Sequence, residues 1–106
     1  MITKHPLDDC EGFDWDEGNI QKNWQRHKVN RHECEDVFFN PRLVLDDLRH
    51  SQSEMRYTIL GNTNMLRHLL IVVTIRRNKI RIISARDMNK KEREKYEQAI
   101  KTNPKV

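Results

Sequence analysis

Residues 69–86 constrain the fold of this chain more than any other segment, because two β-branched runs meet there at a short polar break. Val, Ile and Thr fit a pleated strand, and two such runs around a two-residue break are typical of a β-hairpin. Arg77 and Asn78 occupy the break, so they are predicted to form the turn between the two strands. The sequence therefore predicts an antiparallel hairpin as the centre of a sheet.

The side chains of this hairpin sort onto two faces, because successive residues of a strand point to opposite sides. With the turn at residues 77–78, Arg76 pairs with Lys79 and Thr74 pairs with Arg81. The predicted core face carries Leu69, Ile71, Val73, Ile75, Ile80 and Ile82. The other face carries Leu70, Val72, Thr74, Arg76, Lys79, Arg81, Ile83 and Ala85. Its cationic end suits an anionic ligand.

Length and charge narrow the class of protein further. A chain of 106 residues with 36% hydrophobic and 34% charged residues is typical of one small globular domain, expected here over residues 13–101. Residues 1–12 are expected to be a loose lead-in, and residues 102–106 a tail. Residues 1–55 hold 7 Lys and Arg against 12 Asp and Glu, whereas residues 56–106 hold 13 against 4. This asymmetry indicates a nucleic-acid partner, although a solvated basic surface explains the charge equally well.

Several classes of protein are disfavoured by what the sequence lacks. No apolar run approaches the roughly 18 residues of a membrane span, and the N-terminus has no apolar signal core, so a cytoplasmic protein without a membrane partner is expected. Cys10 and Cys34 are predicted to be unpaired thiols. There is no phosphate-binding Gly loop, nucleophile motif or cluster of metal ligands, so neither a cofactor nor a metal is expected.

The remaining elements are predicted from caps and periodicity. A first helix is expected over Glu17–His27 with Asp16 as its N-cap, and Ile20, Trp24 and His27 are expected to form an inward stripe. A shorter helix is expected to begin at Asn30 or Arg31 and to end at Asn40-Pro41. Strands are expected at residues 43–45 and 56–60, with a turn at residues 61–64. A last helix is expected to begin at an Asn89–Glu92 capping box and to run to about Lys101. Short connections favour antiparallel pairing, so the predicted class is α+β, with helices on the core face of a mainly antiparallel sheet of three to four strands.

Three local patterns carry a resemblance to a known family. They are Phe13-Asp-Trp-Asp-Glu17 before a helix that ends in Arg26-His27, then Glu35-Asp-Val-Phe-Phe-Asn-Pro41 leading to Arg49-His-Ser51 and Glu54-x-Arg-Tyr57, and finally Ile80-Arg-Ile-Ile-Ser-Ala-Arg86 leading to Lys91-Glu-Arg-Glu-x-Tyr96. Over about residues 13–97 the chain resembles the BrnT family of toxins from type II toxin–antitoxin systems. The resemblance implies a RelE-like fold, a metal-independent ribonuclease activity that arrests translation, and no cofactor. It also implies a neutralising BrnA-type antitoxin, with operator DNA bound through that antitoxin.

The chain departs from the family pattern at two turn positions. The pattern commonly has Lys-His-Gly at the end of the first helix, where this chain has Arg26-His27-Lys28. It commonly has Glu-Arg-Gly at the hairpin turn, where this chain has Ile75-Arg76-Arg77. The loss of both glycines leaves open a different geometry at both turns.

Metal-free cleavage of RNA needs a group that moves a proton and cations that stabilise charge on the phosphate. The predicted catalytic residues are His27, Arg76 and Arg86, of which His27 and Arg86 match family positions. The predicted RNA contacts are Trp15, Lys79, Arg81 and His50, and no residue is predicted to bind a metal. His is the natural proton carrier near neutral pH.

Structural alternatives stand beside three of these predictions. His27 is equally explained as a packed core residue, Trp15 as a side chain that closes the core, and Arg86 as an ion-pair partner of Asp87 or of a helix carboxylate. Arg86 joins the cationic face only if its strand ends or bulges near Ser84. For the whole protein, the alternative is a non-catalytic module of the same fold, a degenerate toxin that acts only through antitoxin pairing and operator DNA.

Overall fold

The structure, a computed structural model, describes residues 6–47 and 54–102, which form three α-helices and a four-stranded antiparallel sheet. The helices are α1 (Glu17–His27), α2 (Arg31–Val37) and α3 (Lys90–Thr102). The strands are β1 (Arg42–Asp46), β2 (Arg56–Asn62), β3 (His68–Arg76) and β4 (Lys79–Asp87), in the spatial order β1-β2-β3-β4. The predicted α+β class with a small antiparallel sheet is confirmed.

The central hairpin has the predicted turn and register. Arg77 and Asn78 form the turn with φ values of 53° and 64°, and Arg76 pairs with Lys79. Such positive values at both turn positions match the right-handed twist of the flanking strands. Every residue of the predicted core face belongs to or packs against the main core cluster, namely Leu69, Ile71, Val73, Ile75, Ile80 and Ile82.

A β-bulge changes the faces of β4 beyond Ile82. Val73 pairs with Ile82 but Val72 pairs with Ser84, so Ile83 is an extra residue on β4. One extra residue reverses the alternation that follows it. Ala85 consequently lies in the core at 1% exposure, and its predicted place on the other face is wrong. The same bulge puts Arg86 opposite Leu70, on the face that carries Arg76 and Arg81.

Helix α1 has its predicted bounds and its predicted N-cap, since the Asp16 side chain accepts a hydrogen bond from the Asn19 N–H. The predicted inward stripe is wrong, because Trp24 is 49% exposed and His27 is exposed. The buried residue of the helix is Asn23.

The reason for this difference is that α1 lies along the outer edge of β4 and forms hydrogen bonds to the β4 backbone through its asparagine side chains. Asn19 Nδ2 donates to the Ile82 carbonyl at 3.3 Å, and Asn23 Oδ1 accepts from the Ala85 N–H at 3.2 Å. These bonds satisfy backbone groups that an edge strand otherwise exposes. Apolar periodicity does not predict the inward face of α1, because asparagine side chains fix this helix to the sheet.

The helices lie on both faces of the sheet, which corrects the prediction that they share the core face. Tyr96 of α3 packs with Leu60 and Met88 in a second cluster, whereas α2 packs on the first through Cys34 and Val37. Leu60 and its neighbours in β2 point to opposite sides, so α3 covers the other face. The predicted capping box at the start of α3 is confirmed, with reciprocal 2.8 Å bonds between Asn89 and Glu92.

Several connections pack more closely than the sequence indicated. In the predicted lead-in, Pro6–Asp9 is a short 3₁₀ helix, and Leu7 is buried in the main core at 4% exposure. Strand β2 continues through Gly61, which was predicted to begin a turn, and a Cβ there would lie 2.6 Å from Val37 Cγ1. Glycine at position 61 therefore allows α2 to approach the sheet.

The two cysteines are unpaired, as predicted. Cys34 is buried on α2, and this burial raises the pKa of its thiol to about 12. A thiol with so high a pKa is unreactive near neutral pH, so Cys34 is a small core residue. No helix within residues 6–47 and 54–102 is long and apolar enough to cross a membrane.

The two positions at which the family pattern has glycine keep a left-handed backbone in this chain. Lys28, at the C-terminus of α1, has φ 54° and donates its N–H to the Trp24 carbonyl, and Arg77 has φ 53°. Both turns therefore keep a geometry that glycine adopts without strain.

Lys28→Gly is expected to raise the free energy of unfolding by about 0.5–1.5 kcal/mol. Glycine removes a left-handed penalty of about 1–2 kcal/mol, but the contact of Lys28 Nζ with the Trp24 ring, worth about 0.5 kcal/mol, is lost. Urea unfolding measures the change. Arg26→Gly, two residues earlier and inside the helix, is the control and should lower stability. A Lys28→Gly protein less stable than the wild type would show that the left-handed backbone at Lys28 carries no such penalty.

Candidate nucleic-acid interface

Helix α3 packs against only part of its side of the sheet. Beyond α3, one row of side chains crosses the four strands and is half-buried, and we call this row the open face, formed by Leu45, Thr58, Val72 and Ser84. Towards the hairpin turn, the next rows on the same side hold the cations of β3 and β4. The open face is therefore a shallow surface between α3 and a cationic edge.

The hairpin turn presents exposed cations. The side chain of Arg76 is 48% exposed, and its Nη2 atom is 3.9 Å from Glu54 Oε2, which is a loose ion pair. Arg77 and Lys79 are exposed, and neither side chain forms a hydrogen bond or ion pair within residues 6–47 and 54–102. Cations of this kind attract phosphate groups from solution.

Arg81 also belongs to this end of the sheet, but it is held by two carboxylates. Its Nη2 atom donates to Asp16 Oδ2 at 3.0 Å, and its Nη1 atom is 3.7 Å from Asp14 Oδ2. These acids neutralise its charge, and they tie the start of α1 to β4. Arg81 is consequently less available to a phosphate than Lys79 is.

Arg86 lies at the other end of β4 and is paired with a helix carboxylate, as its structural alternative proposed. Its guanidinium donates to both oxygens of Glu92 at 2.8 and 2.9 Å and to the Asp87 carbonyl at 3.1 Å. The hydrogen bonds to Glu92 raise the pKa of Arg86, and those from Arg86 lower the pKa of Glu92. One Nη2 hydrogen and the Nε hydrogen of Arg86 have no acceptor among the described residues, so the oriented side chain keeps two donors.

His27 lies at the C-terminus of α1 and is exposed, so its alternative role as a packed core residue is wrong. It is close enough to Asp87 to help lower the pKa of that carboxyl group, whose main cause is hydrogen bonding from Arg67. Because Arg67 bonds both to the His27 carbonyl and to Asp87, His27 lies at the same end of β4 as Arg86.

The structure does not bring the three predicted catalytic residues together. Arg76 pairs with Lys79 at the turn, and Arg86 lies seven residues further along β4. One of these residues, Ile83, is the extra residue of the bulge, so the separation equals six residues of β3, from Arg76 to Leu70, which is about 20 Å at about 3.3 Å per residue. Because Arg76 is directed to Glu54 and Arg86 is held by Glu92, the two guanidinium groups do not meet at one phosphate. His27 is on the Arg86 side of this gap.

The two other predicted RNA contacts are Trp15, which the structure describes, and His50, which it does not. Trp15 packs against the main core, stacks with Phe13, and donates its Nε1–H to Glu35 at 2.7 Å, as its structural alternative proposed. His50 lies outside the described residues, and its predicted role remains a prediction. Within residues 6–47 and 54–102, no three His, Cys, Asp or Glu side chains are grouped as a metal site.

Arg67 is the most connected side chain of the region, and sequence reasoning missed it. It donates to Asp87 at 2.7 and 3.1 Å, to Glu33 at 3.0 and 3.2 Å, and to the carbonyls of His27 and Lys28 at 2.9 and 2.8 Å. Its five N–H groups are therefore all used. Arg67 joins the end of α1 to α2 and to β4, and so fixes the backbone of His27.

Comparisons with known proteins place this geometry in a family. Residues 15–92 match the family model described as the ribonuclease toxin, BrnT, of a type II toxin–antitoxin system. The crystal structure of the Brucella abortus ribonuclease toxin BrnT is similar in fold, with a TM-score of 0.59 and 18% sequence identity over 74% of this chain and 97% of that chain. No curated protein sequence matches the chain.

Proposed function

The chain belongs to the BrnT family of ribonuclease toxins, and we propose that it is an endoribonuclease that works without a metal ion and arrests translation. The observation that supports this most strongly is the family match itself, since residues 15–92 include α1, the hairpin and Glu92. The exposed cations beside the open face are consistent with an RNA substrate.

The proposed reaction needs no group beyond the RNA and the protein. The 2′-hydroxyl oxygen attacks the adjacent phosphorus, the bond from phosphorus to the 5′-oxygen breaks, and the products are a 2′,3′-cyclic phosphate and a 5′-hydroxyl. One proton leaves the 2′-hydroxyl, and one is delivered to the 5′-oxygen. The transition state carries extra negative charge on the phosphate, which cations stabilise.

We assign different phosphates to the two predicted arginines, because about 20 Å of strand separates them. Arg86 acts on the phosphate that is cleaved, with the donors that its pairing with Glu92 leaves unused. His27, at the same end of β4, moves the proton. Arg76 and Lys79 hold a phosphate further along the strand, so the RNA lies across the open face. Arg81, Trp15 and His50 remain proposed RNA contacts, of which Arg81 is weakened by its two carboxylates.

Lys79→Ala is expected to weaken RNA binding without a large change in the rate at saturating RNA. Lys79 is exposed and remote from Arg86, so it contributes a phosphate contact alone. Loss of one such contact lowers the slope of log affinity against log salt by about 0.7 for a single strand. Binding measured at several salt concentrations gives the slope. Lys101→Ala, at an exposed position of α3, is the charge-matched control. An equal slope of log affinity against log salt for the two variants would contradict the assignment.

A type II toxin needs an antitoxin, and we propose a BrnA-type partner that covers the cationic hairpin end and recruits operator DNA. Co-expression of this chain with the product of the adjacent gene tests the proposal. The expected result is rescue of growth and co-elution of the two proteins at micromolar concentration. Failure of the two proteins to co-elute would exclude this partner.

The non-catalytic module remains a second candidate, because the structure separates Arg76 from Arg86 and pairs Arg81 and Arg86 with acids. A degenerate toxin binds the antitoxin and represses the operator, but it leaves RNA intact. Purified toxin incubated with RNA distinguishes the two candidates, since only the enzyme shortens the RNA.

A further inference from the structure

The two edges of the sheet differ in how their backbone groups are used. Along β4, Ile80 bonds to Gly12 and Asp14, which precede α1, at 2.8 Å. Further along the strand, the backbone bonds to Asn19 and Asn23 of α1. This edge is therefore occupied by the chain itself. Natural sheets commonly protect their edges in this way.

The outer edge of β1 is not used in the same manner. Asp47 donates its N–H to the Arg56 carbonyl at 2.9 Å, so the positions of β1 that bond to β2 alternate from Asp47 backwards. The N–H and C=O groups of Arg42, Val44 and Asp46 consequently point away from β2. Within residues 6–47 and 54–102, no hydrogen bond reaches these outward groups.

Strand β1 has a basic residue at one end and an acidic residue at the other, so two copies in antiparallel orientation are complementary in charge. In antiparallel pairing centred on Val44, Arg42 lies opposite Asp46 of a second copy, and Leu43 lies opposite Leu45. Opposite charges directly across two strands stabilise pairing. In this pairing the outward N–H and C=O groups of Arg42, Val44 and Asp46 lie opposite the same groups of the second copy. A two-fold axis at Val44 requires this match.

We propose that two copies of this chain associate through β1, which forms a continuous eight-stranded sheet across the two-fold axis. Charges on an edge usually oppose association, but antiparallel pairing of β1 with itself places each Asp46 opposite Arg42 of the other copy. Strand β1 has only five residues, so the interface is small and the dimer is weak and reversible. The proposal does not depend on ribonuclease activity, because association is measured without RNA.

Sedimentation velocity of the full chain, from about 10 to about 500 µM, tests the proposal. The expected result is a dimer whose population rises over this range. Asp46 is exposed, and Asp46→Arg places like charges opposite each other twice, so it should weaken the dimer by at least about tenfold. Hydrogen exchange should slow at the Val44 N–H as concentration rises, because that group becomes bonded between copies.

A mixing experiment makes the test specific to β1. Arg42→Asp alone and Asp46→Arg alone should both be monomeric, whereas their equimolar mixture should form a heterodimer, because each arginine then faces an aspartate. Arg42 also donates to Asp8 at 3.3 Å and to the Phe38 carbonyl at 3.0 Å, so circular dichroism must show that Arg42→Asp is folded. If it is unfolded, the Asp46→Arg result and the Val44 exchange decide the question.

Three results would overturn the proposal. The first is a wild-type chain that stays monomeric at about 500 µM. The second is a dimer that Asp46→Arg leaves unchanged, which would place the interface elsewhere. The third is an Asp46→Arg variant that weakens antitoxin binding while the free toxin stays monomeric, which would make an extended antitoxin segment the occupant of this edge.

Discussion

Arg86→Ala is expected to lower the rate of RNA cleavage by about 10²–10³-fold, because it removes N–H donors that stabilise charge on the phosphate in the transition state. The loss should appear in the rate at saturating RNA. The ion pair of Arg86 with Glu92 is partly exposed, at 39% for the arginine side chain, so its removal should cost at most about 1 kcal/mol of stability. The protein should therefore remain folded by circular dichroism.

Two comparisons make this prediction specific. Arg93→Ala removes the same charge from an exposed position of α3 and should leave the rate unchanged. His27→Gln should slow cleavage if His27 moves the proton, and a folded, fully active His27→Gln protein would end its proposed role. A folded Arg86→Ala protein with the wild-type rate would refute the arginine-centred mechanism.

Arg67→Met is expected to lower the free energy of unfolding by about 2–3 kcal/mol, because one substitution removes hydrogen bonds to two carboxylates and two carbonyls. For a domain of this size, such a loss lowers Tm by about 10–20 °C. Arg76→Met is the matched control on β3, since Arg76 is half-exposed and only loosely paired. Its cost should stay within about 0.5 kcal/mol. Equal losses for both variants would contradict the role of Arg67.

The pH dependence of stability gives a second readout of Arg67. Hydrogen bonding from Arg67 lowers the pKa of Asp87 in the folded protein. A lowered carboxyl pKa stabilises the fold above the ordinary value of about 4, and this contribution is lost as the pH falls through the folded value. The difference in stability between wild type and Arg67→Met should therefore shrink as the pH is lowered below about 4.

The sequence was sufficient for the local elements that carry their own signals. The β-branched runs around residues 77–78 gave the hairpin and its register, and side-chain caps gave the ends of two helices. These features depend on neighbouring residues alone.

The errors arose where packing between distant segments decides the outcome. Apolar periodicity placed the wrong stripe of α1 inward, because Asn23 bonds to the edge of β4 rather than packing in an apolar core. The bulge at Ile83 follows from no local motif, and it moved Ala85 into the core. Arg67 carries no signal in the sequence, since its partners are 20 to 40 residues away.

The candidate site was predicted residue by residue, but its arrangement was not. The resemblance selected His27 and Arg86, and both lie at the same end of β4. The face assignment grouped Arg76 with Arg81 and let Arg86 join them only through a bulge near Ser84, which the structure contains. Alternation along a strand gives the side of a residue and not its distance from another. The separation of Arg76 from Arg86 is the main change that the structure makes to the mechanism.

Incubation of the purified toxin with RNA in excess EDTA tests the proposed metal-free ribonuclease most directly. The chemical nature of the new 3′ ends is measured, with Arg86→Ala prepared in parallel to exclude a contaminating nuclease. The proposal predicts cleavage by the wild type, with 2′,3′-cyclic phosphate ends, and little or none by Arg86→Ala. Intact RNA in EDTA, with cleavage that appears only when Mg²⁺ is added, would contradict it.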